Sequence, residues 1–178
     1  MSILVISGTN RKGSATLEIS KKLCGILTKM NVDHRFVNLE DFTELLSKQA
    51  PYKSLEKDSE LINFQDSILI PSEKFIFVIP EYNGSFPGFL KWWIDTFSIR
   101  KSAETYKFKK VAFIGVSDGI NGNVRGIDHF MAVCRYLKMV IYPGFVYFPS
   151  IVKVLDLWDE NPKNANRLEK LIEEFSAF

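Results

Sequence analysis

Five short strand-like runs separated by stretches of helical periodicity leave this chain few folds to choose from. Ile3 to Ser7, Phe75 to Ile79 and Lys110 to Val116 are apolar almost throughout, as strands buried on both faces are. His34 to Leu39 reads as another strand, as does Val140 to Tyr142 with a continuation through Phe145 to Phe148. Between them, Ile19, Leu23, Ile26 and Met30 mark one face of a helix that starts near Ser14. Asp58 to about Ile70 reads as a helix closed by Pro71, and Pro87 to about Phe97 as the next. Ile127, Phe130, Met131, Cys134 and Leu137 share a face, and Leu168, Leu171, Ile172 and Phe175 mark a final amphipathic helix. Only Asp41 to Tyr52 is ambiguous, a short helix and then a loop at Pro51. Strands alternating with helices at this spacing predict an α/β protein whose parallel sheet is covered on both faces. At 178 residues and 46% hydrophobic content, one domain over residues 1–178 is expected.

In open sheets of this kind, ligands sit outside the carboxyl ends of the strands. Three of the expected strands end in loops rich in Gly, Ser, Thr or Asn: residues 8–14, 80–88 and 117–122. The second loop is the most distinctive, running Pro80-Glu81-Tyr82-Asn83-Gly84-Ser85-Phe86-Pro87-Gly88. Pro80 has no N–H to continue a ladder, Gly84 and Gly88 allow close backbone approach, and Pro87 suits the start of a helix. Glu81, Tyr82, Asn83 and Ser85 offer an acid, a flat aromatic face and short polar groups.

The first loop, Gly8-Thr9-Asn10-Arg11-Lys12-Gly13-Ser14-Ala15-Thr16, points to phosphate. Hydroxyls bond phosphate oxygens, Arg11 pairs with their charge, and the start of the following helix supplies free N–H groups. Gly8 and Gly13 have P-loop spacing, but Ser14 stands where that motif needs lysine, which argues against triphosphate hydrolysis. Asn10 occupies the second glycine position of the dinucleotide fingerprint, so that motif is missing too. A terminal monophosphate is the ligand that remains.

Composition narrows the partners. Lys plus Arg number 23 against 21 Asp plus Glu, with a pI near 8.4, so no large basic face is demanded and nucleic acid is not a favoured partner. Cys24 and Cys134, isolated within helical patterns, fit reduced core thiols. Residues 1–7 lack the basic start of a signal peptide, and no run approaches the roughly 18 apolar residues of a membrane span, so a soluble cytoplasmic protein is expected. With 15 Phe, the chain holds more aromatic side chains than a core this size usually needs, and part of the surplus is assigned to a subunit interface or a pocket. Trp92 and Trp93 lie about 100° apart on their helix, so one faces the core and the other a partner, or both belong to one broad buried face.

On these residues the chain resembles the NADPH-dependent FMN reductase family of flavodoxin-like proteins. That family's first loop runs Gly-Ser-x-Arg-x-x-Ser-x-Asn, matched here by Gly8, Arg11 and Ser14. Its second runs Pro-Glu-Tyr-Asn-x-Ser-x-Pro-Gly-x-Leu-Lys-Asn, matched at Pro80, Glu81, Tyr82, Asn83, Ser85, Pro87, Gly88, Leu90 and Lys91. The resemblance extends from Ile3 to about Tyr142 and implies a flavodoxin-like three-layer sandwich, its five-stranded parallel sheet in the order 2-1-3-4-5. It implies that Thr9, Arg11, Ser14, Ala15 and Thr16 surround the FMN phosphate. Pro80, Glu81, Tyr82, Asn83 and Gly84 would border the isoalloxazine, with Ser117 and Gly119 on its other flank. Thr9, Thr16 and Trp92 depart from the family's Ser, Asn and Asn.

The activity so implied is hydride transfer from NADPH or NADH, through bound FMN, to a small acceptor such as a quinone, an azo compound, a free flavin or a metal ion. The cofactor carries that chemistry, so no side-chain nucleophile or metal is required, and His34 and His129 need no catalytic role. Relatives form dimers or tetramers, which implies a homodimer or homotetramer here. A flavodoxin-like electron carrier is the rival reading, opposed by Arg11 and by the net charge of +2, since such carriers tend to be acidic.

Overall fold

The apolar runs are strands, and their alternate residues supply two separate cores. The structure is a computed structural model and describes residues 2–47 and 58–178. Strands β1 (Ile3–Ser7), β2 (His34–Asn38), β3 (Lys74–Pro80), β4 (Lys110–Val116) and β5 (Val140–Phe148) form one parallel sheet in the order β2-β1-β3-β4-β5. Leu4, Ile6, Phe75, Phe77, Val111 and Phe113 point to one face, where helices α4 (Gly88–Ser98) and α6 (Val124–Tyr136) bury Leu90, Trp93, Phe97, Ile127 and Phe130. Ile3, Val5, Ile76, Val78, Ala112 and Ile114 point to the other, against α1 (Ala15–Lys29) and α8 (Pro162–Ala177). This period-two division between two helix layers is why the strands read as continuously apolar.

Several boundaries differ from the sequence reading. Leu39 leaves the strand and opens a 3-10 turn, Leu39–Phe42, because the Asn38 side chain accepts from Glu40 N and caps it. Helix α2 (Thr43–Ser47) follows, and the remainder of the ambiguous segment, including Pro51, lies outside the described residues. The expected helix after Asp58 is α3 (Ser59–Phe64) running into a π-helical turn, Gln65–Leu69. Gln65 is thereby turned inward, and its Nε2 donates to the carbonyls of Phe97 and Arg100 at 3.0 and 2.6 Å, satisfying the end of α4.

Two short helices, α5 (Ser102–Tyr106) and α7 (Ile151–Asp156), were not anticipated. The break read within the last strand is a bulge. Tyr142, Pro143 and Gly144 stand opposite the single residue Ala112, since Ile141 pairs with Val111 and Phe145 with Phe113. Pro143, lacking an N–H, is tolerated because β5 is an edge strand. Lys74 is buried, and its Nζ donates to the carbonyls of Phe175 and Ser176 at 2.9 and 2.6 Å, which fixes the last turn of α8 under the sheet.

Candidate functional site

The site begins where β1 ends. Gly8 N donates to the Val78 carbonyl at 2.8 Å, and a Cβ on residue 8 would lie 2.8 Å from that oxygen. Only glycine lets the first loop leave the sheet flush against β3. Ser14 then caps α1, its Oγ accepting from Leu17 N at 3.2 Å. The N–H groups of Ala15 and Thr16, in the first helical turn, have no acceptor within the helix and lie at its positive end. Arg11 and Lys12 are exposed, and among the described residues neither forms an ion pair. Uncommitted positive charge therefore stands beside uncommitted N–H donors.

The second loop is folded around a tight turn. Tyr82 and Ser85 exchange backbone hydrogen bonds of 2.8 and 3.0 Å, and Asn83 and Gly84 between them both have positive φ, at 50° and 77°. An Asn-Gly pair suits such a turn, since both central residues must enter the left-handed region. Glu81 N donates to the Val116 carbonyl at 2.9 Å and aligns the loop with the end of β4. One bond joins the first loop to the second: Thr9 Oγ1 lies 2.7 Å from the Tyr82 hydroxyl. Thr9 Oγ1 also accepts from Arg11 N at 3.2 Å, so this buried hydroxyl is occupied within the protein.

At the end of β4, Ser117 is buried and donates from Oγ to the Gly119 carbonyl at 3.0 Å, while its backbone is held by Phe148 and Ile151. The three loops together wall a cleft whose enclosed part measures about 50 Å³. Thr9, Arg11, Ser14, Ala15 and Thr16 face it from the first loop and Pro80, Glu81 and Tyr82 from the second, with Ser117 opposite. Asn83 and Gly84 form the turn tip and Gly119 is exposed within the third loop, so these three do not wall the cleft. Val116, Asp118 and Ile151 do, although the sequence reading did not select them. Ile151 enters through α7, an element too short to show a periodic signal.

Both thiols lie away from the cleft. Burial pushes Cys24 up to about 11 and Cys134 higher still, so both stay protonated at neutral pH, as expected of core thiols.

Comparison with known proteins then decides the family, for the model describing NADPH-dependent FMN reductases matches residues 1–153. The chain belongs to the NADPH-dependent FMN reductase family. It is 27% identical over 144 residues to a 2-hydroxy-1,4-benzoquinone reductase from a Burkholderia species, covering 79% of this chain and 74% of that protein. Among solved structures, the flavoenzyme NAD(P)H:(acceptor) oxidoreductase FerB from Paracoccus denitrificans superposes with a TM-score of 0.72 at 20% identity, over 98% of this chain and 94% of the other. The apo form of an NADH:FMN oxidoreductase gives 0.67 at 20% identity, over 98% and 87%. These likenesses confirm the flavodoxin-like sandwich and its strand order.

In this member of the FMN reductase family, the helix after the second loop carries two adjacent tryptophans, Trp92 and Trp93. Trp93 is fully buried, with ring centroids 5.1 Å from Phe97 and 6.1 Å from Phe42, whereas Trp92 is half-buried beside Phe89 at 6.2 Å. Trp92 packs at the margin of the same core that holds Trp93, so both belong to one broad face of α4.

Proposed function

We propose that the chain is an FMN-dependent NAD(P)H oxidoreductase that passes hydride from NADPH or NADH to a small acceptor, with quinones the favoured class. The carrying observation is the cleft itself, where the uncommitted Arg11 and the free first-turn N–H groups of α1 meet an aromatic wall built on Tyr82. A phosphate fits the first of these features and a flat ring the second. Arg11, Ser14, Ala15 and Thr16 would hold the phosphate, while Pro80, Glu81, Tyr82 and Ser117 would border the ring, with Asn83, Gly84 and Gly119 just outside. Thr9 serves through Tyr82, to which its hydroxyl is already bonded. FMN bound there supplies the ring that takes up and releases hydride. The protein's part is to hold that ring in one orientation and leave its open side to the two substrates in turn. Relatives named quinone reductases support the acceptor class.

The reading extends to a single domain over residues 1–178, since both cores pack on one sheet. It includes a cytoplasmic homodimer or homotetramer. No helix among the described residues is long and apolar enough to cross a membrane. A groove of about 640 Å³ between α4 and α6, with Ile94, Val133 and Leu137 in its wall and the 86% exposed Tyr136 at its rim, supports self-association.

The test is spectroscopic. Purified protein should be yellow or gain a bound-flavin spectrum on titration with FMN, and NADPH or NADH should bleach it under anaerobic conditions. A protein that gives no flavin spectrum sinks the proposal, and one that binds FMN but resists both nucleotides is a carrier instead.

A further inference from the structure

One face of α6 supports the loop that ends in Tyr82. Asn123, at the head of the helix, donates from Nδ2 to the Ile79 carbonyl at 3.0 Å, holding the end of β3. Three residues on, Gly126 lies under the turn, where a Cβ would come within 2.7 Å of the Ser85 carbonyl carbon. Three residues further, His129 Nδ1 lies 2.9 Å from Ser85 Oγ, and the adjacent Phe130 packs edge-on against Phe86 at 5.2 Å. This spacing of three places the contacts along one stripe of the helix.

The turn of residues 82–85 is therefore tied at both ends. The Tyr82 hydroxyl is bonded to Thr9 on one side, and the Ser85 hydroxyl to His129 on the other. Between these ties, the two Tyr82–Ser85 backbone bonds close the turn on itself without connecting it to the rest of the protein. Without the His129 bond, the Ser85 end keeps only its packing on Gly126 and that of Phe86 on Phe130, neither of which is directional.

We propose that His129 is a positioning residue that, through Ser85 Oγ, sets the pose of Tyr82 as the wall of the cleft. The inference rests on the FMN reading for its functional meaning and on the structure alone for the clasp. The bond involves the ring nitrogen nearer the backbone. An asparagine amide reaches the same place and can either donate or accept, so it serves whichever way the proton lies. A glutamine amide reaches the position of the far ring nitrogen and cannot replace it.

The experiment uses the full chain as wild type and as His129→Ala, His129→Gln, His129→Asn, Ser85→Ala and the His129→Ala/Ser85→Ala double variant. His129 is exposed, so its replacement leaves the cores intact. In flavin-free protein, amide hydrogen exchange at residues 82–85 should quicken about three- to tenfold in the Ala and Gln variants and in Ser85→Ala. It should stay at the wild-type rate in His129→Asn, and the double variant should add nothing to either single one. FMN dissociation constants should follow the same order, with His129→Asn restored.

Exchange in His129→Gln equal to wild type, or His129→Asn as fast as His129→Ala, overturns the clasp. Faster exchange with unchanged FMN affinity overturns the positioning role. Wild-type protein that takes up no FMN refutes the FMN reading instead, and the exchange arm still judges the clasp.

Discussion

Arg11 shows how one side chain carries a ligand assignment. It is exposed, forms no ion pair among the described residues, and sits where the first-turn N–H groups of α1 are free. Arg11→Ala should weaken FMN binding by about 1 to 3 kcal/mol, roughly fivefold to over a hundredfold, as the phosphate loses its paired charge. Flavin fluorescence titration checks this, and unchanged affinity would move the phosphate elsewhere. Lys74 carries a structural role instead. Burial lowers the pKa of its ammonium, yet it donates to two carbonyls at the end of α8. Lys74→Ala leaves those carbonyls without their donor and should cost about 1 to 3 kcal/mol in urea denaturation. Arg11 was legible in the sequence because loops after buried strands follow a small vocabulary. Lys74 was not, since its partners lie about a hundred residues away.

Among elements, the π-helical turn after α3 organises the far end of α4. It turns Gln65 inward and sets Asp66 against Arg100, with hydrogen bonds of 2.7 and 2.8 Å to the two guanidinium nitrogens, and against Lys101 at 3.2 Å. The Arg100 hydrogen bond, helped by Lys101, holds the Asp66 carboxyl down to about 2 from an ordinary 3.8. A carboxyl depressed in the folded state contributes stability that is complete above its unfolded pKa and is lost as pH falls through the folded one. Asp66→Asn should therefore lower Tm at neutral pH, with the gap to wild type closing between about pH 4 and pH 2 in thermal melts across pH. A gap that persists at pH 2 would show that the pair is not its source. The end of β4 is constrained differently. A Cβ on Gly115 would lie 2.1 Å from the Gly122 carbonyl and 2.8 Å from the Tyr147 ring, so Gly115→Ala should cost about 1 to 3 kcal/mol by overpacking and disturb the third loop, as chemical denaturation would register.

For the whole molecule, two cores on one sheet leave the carboxyl edge free to hold a ligand and the α4–α6 face free to meet another copy. Tyr136 is exposed at the rim of that groove, so Tyr136→Glu should shift the protein toward monomer in sedimentation velocity without changing its thermal stability in the dilute state. An unaltered sedimentation profile would place self-association on another face. The sequence by itself determined the strands, the α/β class, the three ligand-facing loops and the candidate residues Arg11, Ser14 and Tyr82. These depend on periodicity and on turn chemistry, which act over a few neighbouring residues. Tertiary structure alone decided that Thr9 bonds Tyr82, that Asn83 and Gly84 form a turn tip, that Ile151 walls the cleft and that His129 meets Ser85. Each of those depends on contacts between segments far apart in the chain, and the packing of helices on the sheet sets their distances.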